Sequence, residues 1–170
     1  SSIDFNGVTD VYSTGFGAFL ALNKNAGTAQ CWGQSSFGGD CTAIDFTGVT
    51  NIYSTWYAFM AANATGDVQC WGASSQGGDC GSVSIPSSFT HAYGNAEAFV
   101  VFDNTTGDSA CWGVAANGGD CSGLDFAGVT DVYSTFNAFA AIASDGTLQC
   151  WGQSAQGGDC SSIGTLSATA

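Results

Sequence analysis

Arginine is missing from these 170 residues, and the cationic side chains reduce to Lys24, with His91 as the lone histidine. Nucleic-acid binding depends on Lys and Arg displacing phosphate counterions, so that class of partner is excluded. Attraction to anionic lipid headgroups fails for the same reason. Long apolar runs are missing too. Stretches such as Ala138 to Ala143 are strand-sized, far below the roughly 18 to 20 residues of a membrane-spanning helix, so no membrane insertion is expected. No charged leader with a following apolar stretch stands at Ser1. Acid–base machinery is equally sparse: Gly33-Gln34-Ser35-Ser36 and its copies do not form a Gly-x-Ser-x-Gly elbow. Glu97 and Asp103 can be nominated as a carboxylate pair, but nothing around them recommends the role. The expectation is a protein that is not an enzyme and carries no cofactor.

What the chain does hold is acid and repetition. Thirteen aspartates and Glu97 bring the net charge to -13. Charged partners should therefore be cations, basic proteins or divalent metal ions. The frame Val-Thr-x-Val-Tyr-Ser-Thr, Ala-Phe, Cys-Trp-Gly, Gly-Gly-Asp-Cys recurs four times, with its tyrosines at Tyr12, Tyr53, Tyr93 and Tyr133. A period of about 40 residues is that of propeller blades or solenoid coils, whose units stack because none buries its apolar face alone. The expected organisation is a single repeat domain over 1–170, with units of about 1–41, 42–80, 81–121 and 122–160 and a tail at 161–170. Ser1-Ser2-Ile3-Asp4-Phe5 matches the text that follows a repeat's last cysteine, and Ser161-Ser162-Ile163 opens a fifth copy. The reading is a processed chain or a segment of a longer array.

Eight cysteines fall ten residues apart in pairs: Cys31 with Cys41, Cys70 with Cys80, Cys111 with Cys121, and Cys150 with Cys160. Zinc sites favour shorter gaps and histidine, and one histidine cannot serve four sites. Disulfides within each repeat are the economical pairing, with reduced thiols as the alternative. Disulfides at this density imply a secreted or cell-surface protein. Two sequons agree, Asn63-Ala64-Thr65 and Asn104-Thr105-Thr106, at matching places in repeats two and three.

The fourth repeat reads as three strands. Val129 to Tyr133 has strand composition, Ala138 to Ala143 is a second short run, and Thr147 to Trp151 alternates faces after an Asp145-Gly146 turn. The Ala-rich run would suit a helix on propensity; its length and its hairpin partner favour a strand. The repeated Trp32, Trp71, Trp112 and Trp151 are expected in the core or between blades, with a ligand platform as the alternative. Asp40, Asp79, Asp120 and Asp159 of Gly-Gly-Asp read as turn carboxylates, and calcium is the competing, weaker use.

Ala-Phe-x-Ala, the Asp-Gly turn, Thr-x-x-x-Trp-Gly and the Gly-Gly pair together resemble the regulator of chromosome condensation repeat. Within that family they resemble the short-blade secreted forms, such as the propeller-type β-lactamase inhibitor proteins. The likeness covers all four units. It departs in lacking the family's loop histidine, in Gly-Gly-Asp-Cys, and in the added cysteine pair. The resemblance implies an all-β propeller of three- to four-stranded blades that binds proteins through its face loops without catalysis. Four blades, half of a larger ring and an open superhelix all fit the residues.

Variable positions inside the constant frame are the binding candidates: Phe16, Trp56, Tyr57 and Phe136, after the Tyr-Ser-Thr element. Exposed at a face, they would mark a protein or glycan contact; packed on a neighbouring blade, they would not. Repeat three diverges most, with Pro86, His91, Gly94-Asn95 and Glu97. Two functions follow. One is a structural protein that associates with itself through its repeat edges into an assembly or filament. The other is a binding module for a protein or glycan.

Overall fold

The computed structural model describes residues 4–163; the opening Ser1 to Ile3 and the tail beyond residue 163 lie outside the described part. Among the described residues the fold is all-β, with four three-stranded antiparallel sheets and no α-helix. The strands are β1 (Asp10–Ser13), β2 (Ala18–Asn23) and β3 (Thr28–Gly33), then β4 (Val49–Ser54), β5 (Ala58–Asn63) and β6 (Val68–Gly72). They continue as β7 (His91–Gly94), β8 (Ala98–Phe102) and β9 (Ser109–Gly113), then β10 (Val129–Ser134), β11 (Ala138–Ala143) and β12 (Leu148–Gly152). Each repeat is thus one meander, or blade. The Ala-rich run of repeat four is strand β11, because hydrogen bonding to β10 and β12 on both sides outweighs alanine's helix propensity. Gly146, at φ 86°, supplies the left-handed residue of the β11–β12 turn, and Asp145 Oδ1 accepts from the Thr147 amide at 2.8 Å.

The blades fall into two compact units divided after Ser82. In the first, Ala18, Leu20 and Leu22 of β2 pack against Val49, Ile52, Phe59, Ala61 and Trp71 of the second blade, with Cys41 and Phe46. The second unit buries the same set displaced by 80 residues: Ala98, Val100, Phe102, Cys121, Phe126, Val129, Val132, Phe139, Ala141 and Trp151. Seven of these ten positions keep the identical residue. The repeating object at the level of packing is therefore the blade pair.

A loop locks the pair. After β3 the chain makes one 3-10 turn (Ser35–Phe37), reverses at Gly38-Gly39, and returns Cys41 to Cys31 in a disulfide. The other repeats do the same through Cys70–Cys80, Cys111–Cys121 and Cys150–Cys160. Gly38, at φ 103°, sits on the next blade: a Cβ there would stand 2.6 Å from the Phe59 ring. Its carbonyl accepts from Trp71 Nε1 at 3.1 Å. In the second unit the Gly118 carbonyl accepts from Trp151 Nε1 at the same 3.1 Å, over the Phe139 ring. Phe59 and Phe139 stack on their own tryptophans at 5.2 and 5.0 Å. The tryptophans of the second and fourth blades are thus interblade packing residues, each with its indole N–H satisfied.

The third strand of a blade has no fourth strand beside it, and a glutamine side chain takes that place. Gln69 Oε1 accepts from the Asp45 amide at 3.1 Å, and its Nε2 donates to the Asp45 carbonyl at 2.6 Å. Gln30 holds Asp4 in the same two-bond manner, and Gln149 holds Asp125. Repeat three has Ala110 at this position. Its divergent Asn95 does the work of the threonine that the other repeats place there, Thr14, Thr55 and Thr135. Thr55 Oγ1 donates to the Gln76 carbonyl and accepts from the Ala58 amide; Asn95 makes the matching bonds to Asn117 and Ala98 with its amide.

Candidate functional site

The first hairpin turn and the 3-10 turn of each blade lie at the same end, and in the first unit they gather aromatic side chains. Phe16 occupies the β1–β2 turn, Trp56 and Tyr57 the β4–β5 turn, and Phe37 ends the 3-10 turn after β3. The two hairpin turns are tied together where the Phe16 amide donates to the Trp56 carbonyl at 2.9 Å. Phe16 stacks face to face on Tyr57 at 4.9 Å and lies 5.3 Å from Trp56. Phe37 closes the group, edge-on to Tyr57 at 5.2 Å and to Phe16 at 6.4 Å. The indole of Trp56 lies over Gly15, where a Cβ would come within 2.6 Å of Cγ. Phe16 and Trp56 are exposed.

Three of the four expected aromatic positions, Phe16, Trp56 and Tyr57, thus meet in one cluster. Phe136 is exposed in the second unit, at the corresponding turn of the fourth blade. Phe37 escaped the sequence reading although a signal was present: the other repeats place Gln76, Asn117 and Gln156 there. At the 80-residue offset the quartet becomes Ala96, Asn117, Phe136 and Asn137. Packing therefore does not require aromatics at positions 16, 37 and 57, since the second unit builds the same core with Ala96, Asn117 and Asn137 there and keeps only Phe136. The flanking residues of the cluster, Gln34, Ser35, Ser36, Ser74, Ser75 and Gln76, are neutral hydroxyls and amides. Such a surface suits an uncharged ligand.

The repeated aspartates are occupied in turns. Asp40 Oδ1 accepts from the Thr42 amide and hydroxyl at 3.1 and 2.8 Å. Asp79, Asp120 and Asp159 each accept from the amide two residues on, at 3.0, 2.9 and 2.9 Å. No group of three His, Cys, Asp or Glu side chains gathers among the described residues. Glu97 and Asp103 flank opposite ends of β8, about 20 Å apart at strand rise, which does not bracket one scissile bond. The Glu97 carboxylate accepts from the Asn117 amide. Asn63 ends β5 with its Nδ2 on the Asp67 carboxylate, and Asn104 follows β8 in its turn.

Hydrogen bonds hold many of these carboxyls below their ordinary value. For Asp40, Asp45, Asp103, Asp120, Asp145 and Asp159 the leading cause is a backbone amide. For Asp67 it is Asn63, and for Asp10 it is Thr9 ahead of Lys24. A carboxyl with a depressed folded value stabilises fully above its unfolded value, here 3.8, and loses that stabilisation as pH falls through the folded one. The melting temperature is therefore expected to be flat from about pH 7 to about pH 5 and to drop below about pH 4. A melting temperature that rises on acidification would mean that relief of the repulsion within this acidic chain outweighs those bonds.

No family model matches the chain, and no curated protein matches it. Solved structures do. The entire ectodomain of the receptor kinase CR4 from Physcomitrella patens aligns with a TM-score of 0.56 and 18% identity, covering 86% of this chain and 39% of that one. Human WBSCR16 aligns with a TM-score of 0.56 and 16% identity, over 89% and 49%. The CRINKLY WD40 ectodomain of the Arabidopsis thaliana receptor kinase ACR4 aligns with a TM-score of 0.53 and 16% identity, over 85% and 52%. The fold is propeller-like. At these identities the likeness is one of fold alone, and the chain spans between 39% and 52% of the structures it matches. The blades have three strands each, within the three to four expected from the sequence, and the glutamine-held segment takes the place of a fourth in repeats one, two and four.

Proposed function

We propose that this propeller-like chain is a non-catalytic extracellular binding module that holds a neutral glycan on the Phe16, Phe37, Trp56 and Tyr57 cluster. The observation that carries this is the contrast between the two units: core positions repeat, while the aromatic quartet belongs to the first unit alone. Aromatic faces ringed by hydroxyls and amides offer a sugar both stacking and hydrogen bonding. Four disulfides support the extracellular setting, and Asn63 and Asn104 are proposed as its glycan acceptors. The repeat frame resembles the regulator of chromosome condensation type, and the propeller-like fold is consistent with that reading. The acidity of the chain turns it away from the chromatin role.

Glycan-array screening followed by calorimetry tests the site. Trp56→Ala and Tyr57→Ala are each expected to weaken binding at least about 30-fold, with melting temperature nearly unchanged. Binding unaltered by either substitution, or binding only to proteins on a parallel protein array, overturns the glycan reading.

A second reading is a structural protein that associates with itself. It is favoured by interblade chemistry that recurs, exposed, on the first and last blades.

A further inference from the structure

Within each unit, one blade presents a receiving face and its neighbour presents a covering face. The receiving face of the second blade consists of Phe46, Ile52, Phe59 and Trp71, all in the core of the first unit. The covering face is the first blade's Leu20 and Leu22 with the Gly38 loop. The fourth and third blades repeat this with Phe126, Val132, Phe139 and Trp151 against Val100, Phe102 and Gly118.

The first blade carries the receiving chemistry in full. Phe5, Val11 and Phe19 are 57%, 55% and 42% exposed, where Phe46, Ile52 and Phe59 of the second blade are 4%, 7% and 0% exposed. The same ring geometry is already formed: Phe19 stacks on Trp32 at 5.3 Å, and Phe5 meets it edge-on at 6.1 Å. The fourth blade carries the covering chemistry. Tyr133 and Leu148 are exposed, Ala140 and Ile142 are half-buried, and the disulfide loop reverses at Gly157, φ 100°. A Cβ at Gly38 or Gly118 would strike a phenylalanine ring, whereas at Gly157 it would meet only Thr135 Cγ2, at 3.9 Å.

We propose that the fourth blade of one copy caps the first blade of a second copy, with the Gly157 carbonyl accepting from Trp32 Nε1 as Gly38 does from Trp71. This deepens the self-association reading by naming its surfaces and its partner, a second copy of the chain. The contact is heterologous, so it propagates until it closes into a ring or grows into a filament. It is also mostly apolar, between chains of net charge -13, and added salt therefore tightens it.

Sedimentation of the 170-residue chain, its Phe19→Asp and Tyr133→Asp variants, and their mixture tests the polarity of the contact. The wild type is expected to grow beyond a dimer with concentration, more so in salt. Each variant alone is monomeric, its association weakened at least about 30-fold. The mixture forms a one-to-one dimer and stops there, because only one intact face of each kind remains. Near-ultraviolet dichroism checks each fold, and Val11→Asp on the same exposed face replaces Phe19→Asp should that variant misfold. Oligomers of Tyr133→Asp alone would mean a head-to-head contact and overturn this inference while leaving self-association standing. Variants that associate like the wild type overturn it in the same way. A wild type that is monomeric at millimolar concentration in high salt overturns both.

Discussion

Trp71→Ala is expected to lower the unfolding free energy of the first unit by about 4 kcal/mol, and Trp32→Ala by only about 1 kcal/mol. The two residues hold the same place in the repeat and stack on the same phenylalanine, at 5.2 Å for Phe59 and 5.3 Å for Phe19. They differ in what lies above them. Trp71 is buried, bonded through Nε1 to Gly38 and edged by buried Phe46. Removing it leaves a cavity beneath a rigid glycine loop and a backbone carbonyl without its donor. Trp32 is half-buried, and its edge partner Phe5 is exposed. Urea unfolding followed by far-ultraviolet dichroism measures both. Equal losses would mean that tryptophan stabilises each blade from within and that the loop of the preceding blade adds nothing.

Reducing all four disulfides is expected to leave no stable native state at 25 °C. Each bridge closes a loop of ten residues. Chain entropy then assigns about 2.7 kcal/mol to each, or about 11 kcal/mol for the four. Domains of this size are stable by about 5 to 15 kcal/mol in total. The charged fraction is 9% and the blades are short, so little else stands ready to replace that loss. The double substitution Cys70→Ser with Cys80→Ser should cost about 3 kcal/mol by itself. A fully reduced chain that melts where the oxidised one does would show that blade packing alone holds the fold.

Strand positions were legible in the sequence because each rests on local chemistry. Val129, Val132 and Tyr133 favour a pleated, half-buried surface, and Asp145-Gly146 fits only a tight turn. Trp71, Trp112 and Trp151 were legible too, since a large ring repeated at fixed spacing in a stacked array calls for cover, while Trp32 is left half-buried. Phe19 was not. Its motif, Ala-Phe-x-Ala, is the one that buries Phe59 and Phe139, and its exposure depends on a neighbour that the local residues do not encode. The glutamine pairing was hidden for a related reason: Gln69 and Asp45 are 24 residues apart, and no local pattern links a side-chain amide to a distant backbone. Of the aromatic site, Phe16, Trp56 and Tyr57 were visible as variation inside a constant frame. Phe37 required a comparison of the 3-10 turns across repeats.

The glutamine pairing also bears on how this chain ages in concentrated solution. A third strand with open amides and carbonyls is a template for cross-β growth. Gln30, Gln69 and Gln149 each occupy that edge with a segment of their own blade. In repeat three, where Ala110 replaces the glutamine, the preceding segment carries the chain's single proline, Pro86, which has no amide to offer a ladder. Lateral growth from the third-strand edge is thus opposed in repeats one, two and four. Those three edges already carry a partner where cross-β pairing would otherwise begin.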